Sequence, residues 1–123
     1  MIKVLLVDDH PMVRRGLRMR LELEPDVEIV GEAANGGEVL SMVQSLAPDV
    51  VVMDVAMPDL DGIATIGRVR ELAPRTAVVM LSLHGDSVSQ ARARLAGAAA
   101  FVEKRAGGED LLVEIRRAAG SAN

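Results

Sequence analysis

Four strand-length apolar runs recur along the chain, at Ile2 to Val7, Val50 to Met53, Ala77 to Leu81 and Ala98 to Val102, and a fifth, more alternating run surrounds Val27 and Ile29. Near-continuous apolar strands of this kind are stable only where both faces of their sheet are covered. The stretches between them carry helical spacing instead: Val13, Leu17 and Leu21; Val39, Val43 and Leu46; Ile63, Ile66 and Val69; Val88, Ala91 and Leu95; and Leu111 or Leu112 with Ile115 and Ala119. Five strands alternating with five helices predict an α/β fold, a doubly wound five-stranded parallel sheet with the weaker second strand at an edge. Helix starts agree with this reading. Pro11 suits a first helical position, Asn35 stands three residues before Glu38, and Asp61 and Asp86 are available as caps.

Composition then removes whole classes of function. A chain of 123 residues fits one domain and buries roughly two-thirds of its unfolded surface. No apolar run approaches the roughly 20 residues of a membrane helix, and the N-terminus lacks the order of a signal peptide. A cytoplasmic protein with no membrane partner is expected. There is no cysteine and there are two histidines, so disulfides, thiol catalysis and thiolate metal sites are excluded and any metal should be a hard ion on oxygen ligands. The net charge of −4 argues against direct DNA contact, which needs clustered Lys and Arg.

In open parallel sheets ligands bind beyond the carboxyl ends of the strands, and here those ends are polar. The first strand runs into Asp8 and Asp9, the third into Asp54, the fourth into Ser82 and the fifth into Lys104. Right-handed crossovers bring such ends side by side. Carboxylates in contact repel, by about 4 kcal/mol for a pair at 4 Å with an effective dielectric near 20, so positive charge is expected among them. Lys104 supplies one charge, and a divalent ion such as Mg²⁺, which needs only one or two carboxylates, supplies more. A carboxylate beside such an ion can attack phosphorus and form an aspartyl phosphate, with Ser82 and Lys104 binding the phosphoryl oxygens. The motif VVVMDVAMP, a core strand ending on a charge, then reads as the floor of a phosphoryl-acceptor site.

The segments LLVDDHPMVRRGL (5–17), DVVVMDVAMPDLDG (49–62), VVMLSLHGD (78–86) and GAAAFVEK (97–104) together resemble the receiver domain of bacterial two-component response regulators over essentially the whole chain. DDHP followed by Val13, Arg14, Gly16 and Leu17 is similar to the NarL/FixJ-type subfamily, whose members usually carry a LuxR-type helix-turn-helix after the receiver. The resemblance implies a flavodoxin-like (βα)5 fold with strand order 2-1-3-4-5, and a signalling phosphoacceptor rather than an enzyme. It makes Asp54 the phosphoacceptor, Asp9, Asp54 and the backbone carbonyl of Ala56 the Mg²⁺ ligands, and Asp8 the residue orienting waters behind them. Ser82 matches the hydroxyl switch position, Lys104 the phosphoryl-binding lysine and Phe101 the switch aromatic, where Tyr is common. Arg105 stands where the subfamily often has an acid, and no effect is assigned to that change. The implied partners are a sensor histidine kinase and, on phosphorylation, a second copy of the chain; the implied output is a shift in the surface formed by the fourth helix, fifth strand and fifth helix, or in a dimer surface near the first and fifth helices. DNA enters only through a C-terminal domain absent from this sequence, with residues 1–119 the receiver and 120–123 the start of a linker.

Plainer readings stand beside these. Any one strand-end Asp is more often a cap, Ser82 alone a turn residue and Lys104 alone a solvated charge; the constellation carries the claim. His10 and His84 read as loop polarity or local capping. Phe101, the sole aromatic, is core or switch. Met12, Met19, Met42, Met53, Met57 and Met80 read as packing, and GGED at 107–110 as a helix start. A phosphatase using an aspartyl phosphate would want an acid two residues past Asp54, where Ala56 stands. A receiver-like domain that no longer uses phosphate would not need the complete acidic pair with Ser82 and Lys104.

Overall fold

Five strands and five helices alternate in the order β1 Ile2–Val7, α1 Pro11–Glu22, β2 Val27–Ala33, α2 Gly36–Leu46, β3 Val50–Asp54, α3 Gly62–Leu72, β4 Ala77–Ser82, α4 Ser87–Ala96, β5 Ala100–Glu103 and α5 Glu109–Ser121. The structure is a computed structural model, and it describes residues 1–55, 57, 61–82, 87–103 and 109–121. All pairings are parallel, and the strand order is β2-β1-β3-β4-β5, with β2 at an edge as its weaker pattern predicts.

The two-residue period of each strand divides the core into two layers. Val4, Leu6, Val50, Val52, Val79, Leu81 and Val102 point toward α1 and α5, where they meet Leu21, Leu111, Leu112 and Ile115. Leu5, Val7, Val51, Met53, Val78 and Met80 point the other way, onto Val39, Val43, Ile66, Val69 and Ala93 of α2, α3 and α4. The central strands therefore bury both faces, which is why they read as unbroken apolar runs.

The caps form where the sequence puts them. Pro11 opens α1. Asn35 Oδ1 accepts the Glu38 N–H at 3.2 Å while its amide donates to Glu38 Oε1 at 2.8 Å. Asp61 Oδ1 accepts the Ala64 N–H at 3.2 Å. Asp86 lies outside the described residues. Glu109 and Asp110 of the GGED motif begin α5, placing two acids in its first turn, where they suit the helix dipole.

Several expectations need correction. Strand β5 begins at Ala100 rather than Ala98, because the Ala98 N–H is spent on Ala93 O at 3.0 Å, closing the end of α4, and Gly97 makes the turn at φ +111°. The stripe Val88, Ala91 and Leu95 faces solvent instead of the core; α4 buries Ala93. Met12 and Met19 are exposed on α1, so they pack nothing, whereas Met53, Met57 and Met80 are buried. Helix α5 runs to Ser121.

The edge strand hides one feature that the sequence does not announce. Val4 pairs with Ile29 but Leu5 with Gly31, so Val30 is a bulge. The extra residue reverses the parity of β2: Ile29 packs with the α1 and α5 layer, whereas Ala33 packs with the α2 to α4 layer. A Cβ on Gly31 would lie 2.8 Å from Leu46 Cδ1 and 2.9 Å from Met42 Cε, so glycine is what lets α2 approach here. Past the bulge, Glu32 turns toward α1.

Candidate functional site

The carboxyl ends of β1 and β3 are level with each other, since Val7 pairs with Met53 and the next residues are Asp8 and Asp54. Asp54, opposite Leu81, is 3 % exposed and Asp8 is 1 % exposed. Ligand atoms from Asp8, Asp9, His10 and Asp54 all lie within 4.8 Å of one another. Carboxylates so close repel one another, and a bound cation would offset that repulsion.

The turn that holds the acids is built locally. Asp8 donates its N–H to Ala33 O at 3.1 Å, and its Oδ1 accepts the His10 N–H at 2.9 Å. Arg14, one turn into α1, donates to the Asp8 carbonyl at 2.6 Å and through Nε to Glu32 Oε1 at 2.9 Å. Arg18 also donates to Glu32. Burial pushes the Glu32 carboxyl up, but the hydrogen bonds from Arg18 and Arg14 outweigh it and hold the group below the usual glutamate range. A chain of side chains thus ties β2, α1 and the acidic turn together.

Asp9 is differently placed. Its Oδ1 is buried and has no hydrogen-bond partner among the described residues. An oxygen in that state is what a bound hard cation satisfies, and the donor set of carboxylates suits an ion such as Mg²⁺. The residues present therefore fit the metal that the sequence implies.

Of the expected site residues, Asp8, Asp9 and Asp54 come together, and Ser82 closes β4 one residue beyond Leu81, buried and paired in register with Glu103. Phe101, on β5, packs in the α2 to α4 layer and borders a cavity of about 230 Å³ shared with Asp61, Ser89 and Arg92. The Ala56 carbonyl, Lys104, Arg105 and His84 lie outside the described residues. Arg14 and Glu32 escape sequence reasoning, because the bulge that turns Glu32 inward leaves no mark on the residue pattern. His10 occupies the N-cap position of α1, but its side chain caps nothing. Its ring lies 3.0 Å from Asp9 Oδ1 instead.

A doubly wound sheet with buried acids at the ends of β1 and β3 defines a class, and the response regulator receiver domain family matches residues 4–116. The chain belongs to that family, one of signalling proteins. Within it the relatives are of the NarL and LuxR kind. The chain is 38% identical over 118 residues to the nitrate/nitrite response regulator NarL of Escherichia coli, covering 94% of this chain and 54% of that protein. It is 35% identical over 116 residues to the response regulator VraR of Staphylococcus aureus, covering 94% and 56%. The crystal structure of a LuxR-family two-component response regulator from an Aurantimonas species superimposes with a TM-score of 0.88 at 33% identity, over 96% of this chain and 85% of that one. The chain spans about half the length of the curated relatives it matches. No helix among the described residues is long and apolar enough to cross a membrane.

Proposed function

We propose that this domain accepts a phosphoryl group on Asp54 from the phosphohistidine of a sensor histidine kinase, or from a small phosphodonor, and passes the event on as a change of surface. One observation carries the reading: a nearly inaccessible Asp54 carboxylate shares a space of 4.8 Å with those of Asp8 and Asp9. A carboxylate oxygen of Asp54 attacks phosphorus while the bond to the donor breaks, leaving its electron pair on the donor nitrogen or oxygen, and the product is a mixed anhydride at Asp54. Asp9, Asp54 and the Ala56 carbonyl are the proposed holders of Mg²⁺, with Asp8 fixing waters behind them. When bound, the ion supplies positive charge against the transferring phosphoryl oxygens. Ser82 and Lys104 receive those oxygens on the product.

The output follows from the same groups. A charge-assisted hydrogen bond to the phosphoryl group draws the Ser82 hydroxyl inward, and the Phe101 ring follows into the space released, favouring one of two closely balanced states. The proposed result is a homodimer. In the full-length protein an effector region beyond the receiver would read it on DNA; the relatives' greater length supports such a region.

Incubation with acetyl phosphate and Mg²⁺ tests the proposal by intact mass. Wild type is expected to gain one phosphoryl group, and Asp54→Ala none. Equal labelling of the two proteins would remove Asp54 from the role.

A further inference from the structure

From the geometry we infer that Arg14 is a positioning residue for the acidic site: its guanidinium, aimed by Glu32, fixes the backbone of the turn that carries Asp9. This rests on the reading of the acidic cluster as a cation site, and it adds the groups outside the cluster that hold it in shape.

Asp9 Oδ1 accepts no hydrogen bond among the described residues, and the His10 ring 3.0 Å away pairs with it only when protonated. The direction of this carboxylate is therefore set by the backbone beneath it. Arg14 holds that backbone on both sides of Asp9: its Nη1 donates to the Asp8 carbonyl at 2.6 Å, and its backbone N–H donates to the His10 carbonyl at 3.0 Å. A hydrogen bond from a charged donor is short and about twice as strong as a neutral one. The Asp8 N–H is already held by Ala33 at the end of β2, so the peptide that Arg14 orients is the next one, between Asp8 and Asp9.

Glu32 decides where the guanidinium sits. Past the bulge in β2 its Oε1 accepts Arg14 Nε at 2.9 Å, and Arg18 donates to its other oxygen. A planar guanidinium that donates through Nε and Nη1 at once bridges two acceptors in a fixed relation, which a lysine ammonium does not. Charge and position have opposite effects here. A lone guanidinium near three carboxylates weakens their hold on a cation, so its removal would strengthen binding. Paired with Glu32, its charge is offset, and what its removal changes is the turn.

Calorimetric titration of the full chain with MgCl₂ separates the two effects by sign. Mg²⁺ affinity is expected to fall about tenfold in Arg14→Gln, as for other losses just outside a metal's ligands. It is expected to fall no further when Glu32→Gln is added, because Glu32 acts through Arg14. Urea unfolding without Mg²⁺ checks that each variant is folded under the titration conditions, so that lost stability is not read as lost affinity. Should Arg14→Gln not fold, Arg14→Lys carries the test: it keeps the charge but not the bridge, and a fall is again expected. An affinity in Arg14→Gln equal to or above that of wild type, or wild-type affinity in Arg14→Lys, overturns the assignment of Arg14 and leaves the cation site standing. Failure of wild type to bind Mg²⁺ overturns both.

Discussion

Asp8 keeps a carboxylate almost wholly out of water; its Oδ1 accepts the His10 N–H before α1, while its backbone is held by the Ala33 carbonyl of β2 and the Arg14 guanidinium of α1. Arg14 is in turn steadied by Glu32, whose carboxyl the two arginines hold below its ordinary range despite partial burial. A carboxyl with a lowered folded-state pKa contributes stability that is complete above the unfolded value, about 4.3 for glutamate, and is lost as pH falls through the folded value. Urea unfolding of wild type across that acid range is therefore expected to show a steeper loss of stability than Glu32→Gln. Identical profiles would mean that Glu32 does not couple folding to protons. The acids at 8, 9 and 54 and the hydroxyl at 82 are legible in the sequence because charges and hydroxyls at the ends of apolar strands have few places to go but the carboxyl rim of a parallel sheet. Arg14 and Glu32 are not legible, since their meeting depends on the bulge at Val30, which reverses which face of β2 Glu32 occupies.

Among the elements, the strands are more legible in the sequence than the helices. Their apolar runs follow from burial on both faces, and the layers that they define come from a two-residue period that the chain keeps in β1, β3 and β4. Helix α4 shows the limit of periodic reasoning. Val88, Ala91 and Leu95 share a helical face, and so do Ser89, Ala93 and Ala96; spacing alone does not say which face turns inward, and here the smaller residues do, because α4 approaches the sheet closely through Ala93. Leu95→Gln is accordingly expected to leave the unfolding free energy within about 0.5 kcal/mol of wild type. Ala93→Leu, which forces volume into a filled contact, should cost about 1–3 kcal/mol. Chemical denaturation of both variants checks the assignment, and the reverse order of effects would restore the stripe to the core. Strand β5 is short for a related reason: Gly97 adopts φ +111°, a conformation that favours glycine, and a Cβ there would also lie 3.2 Å from Arg70 Cγ, so the chain must finish this turn before Ala100 can pair.

At the scale of the whole molecule, the proposed switch would couple the rim to a surface by way of the last two elements. Phe101 packs in the α2 to α4 layer beside a cavity bounded by residues of α3 and α4, the space into which the proposed movement of the ring would go. The exposed apolar residues Val88 and Leu95 belong to α4, and Met12, Met19 and Val113 to α1 and α5, the elements that the resemblance implicates in the output and dimer surfaces. Phe101→Ala is expected to accept a phosphoryl group on Asp54 as wild type does, yet to stay monomeric with beryllofluoride under conditions where wild type dimerises in analytical ultracentrifugation. Dimerisation equal to wild type would make Phe101 a packing residue and send the signal by another route.

All of this depends on the chemistry of one residue, and reductive trapping tests it at that residue. Borohydride converts an aspartyl phosphate to homoserine, so treatment after labelling with acetyl phosphate and Mg²⁺, followed by peptide mapping, locates the acceptor. Homoserine is expected at position 54, dependent on Mg²⁺ and absent when EDTA is added first. Homoserine at position 8 or 9 instead, or a label at a site other than a carboxylate, would contradict it.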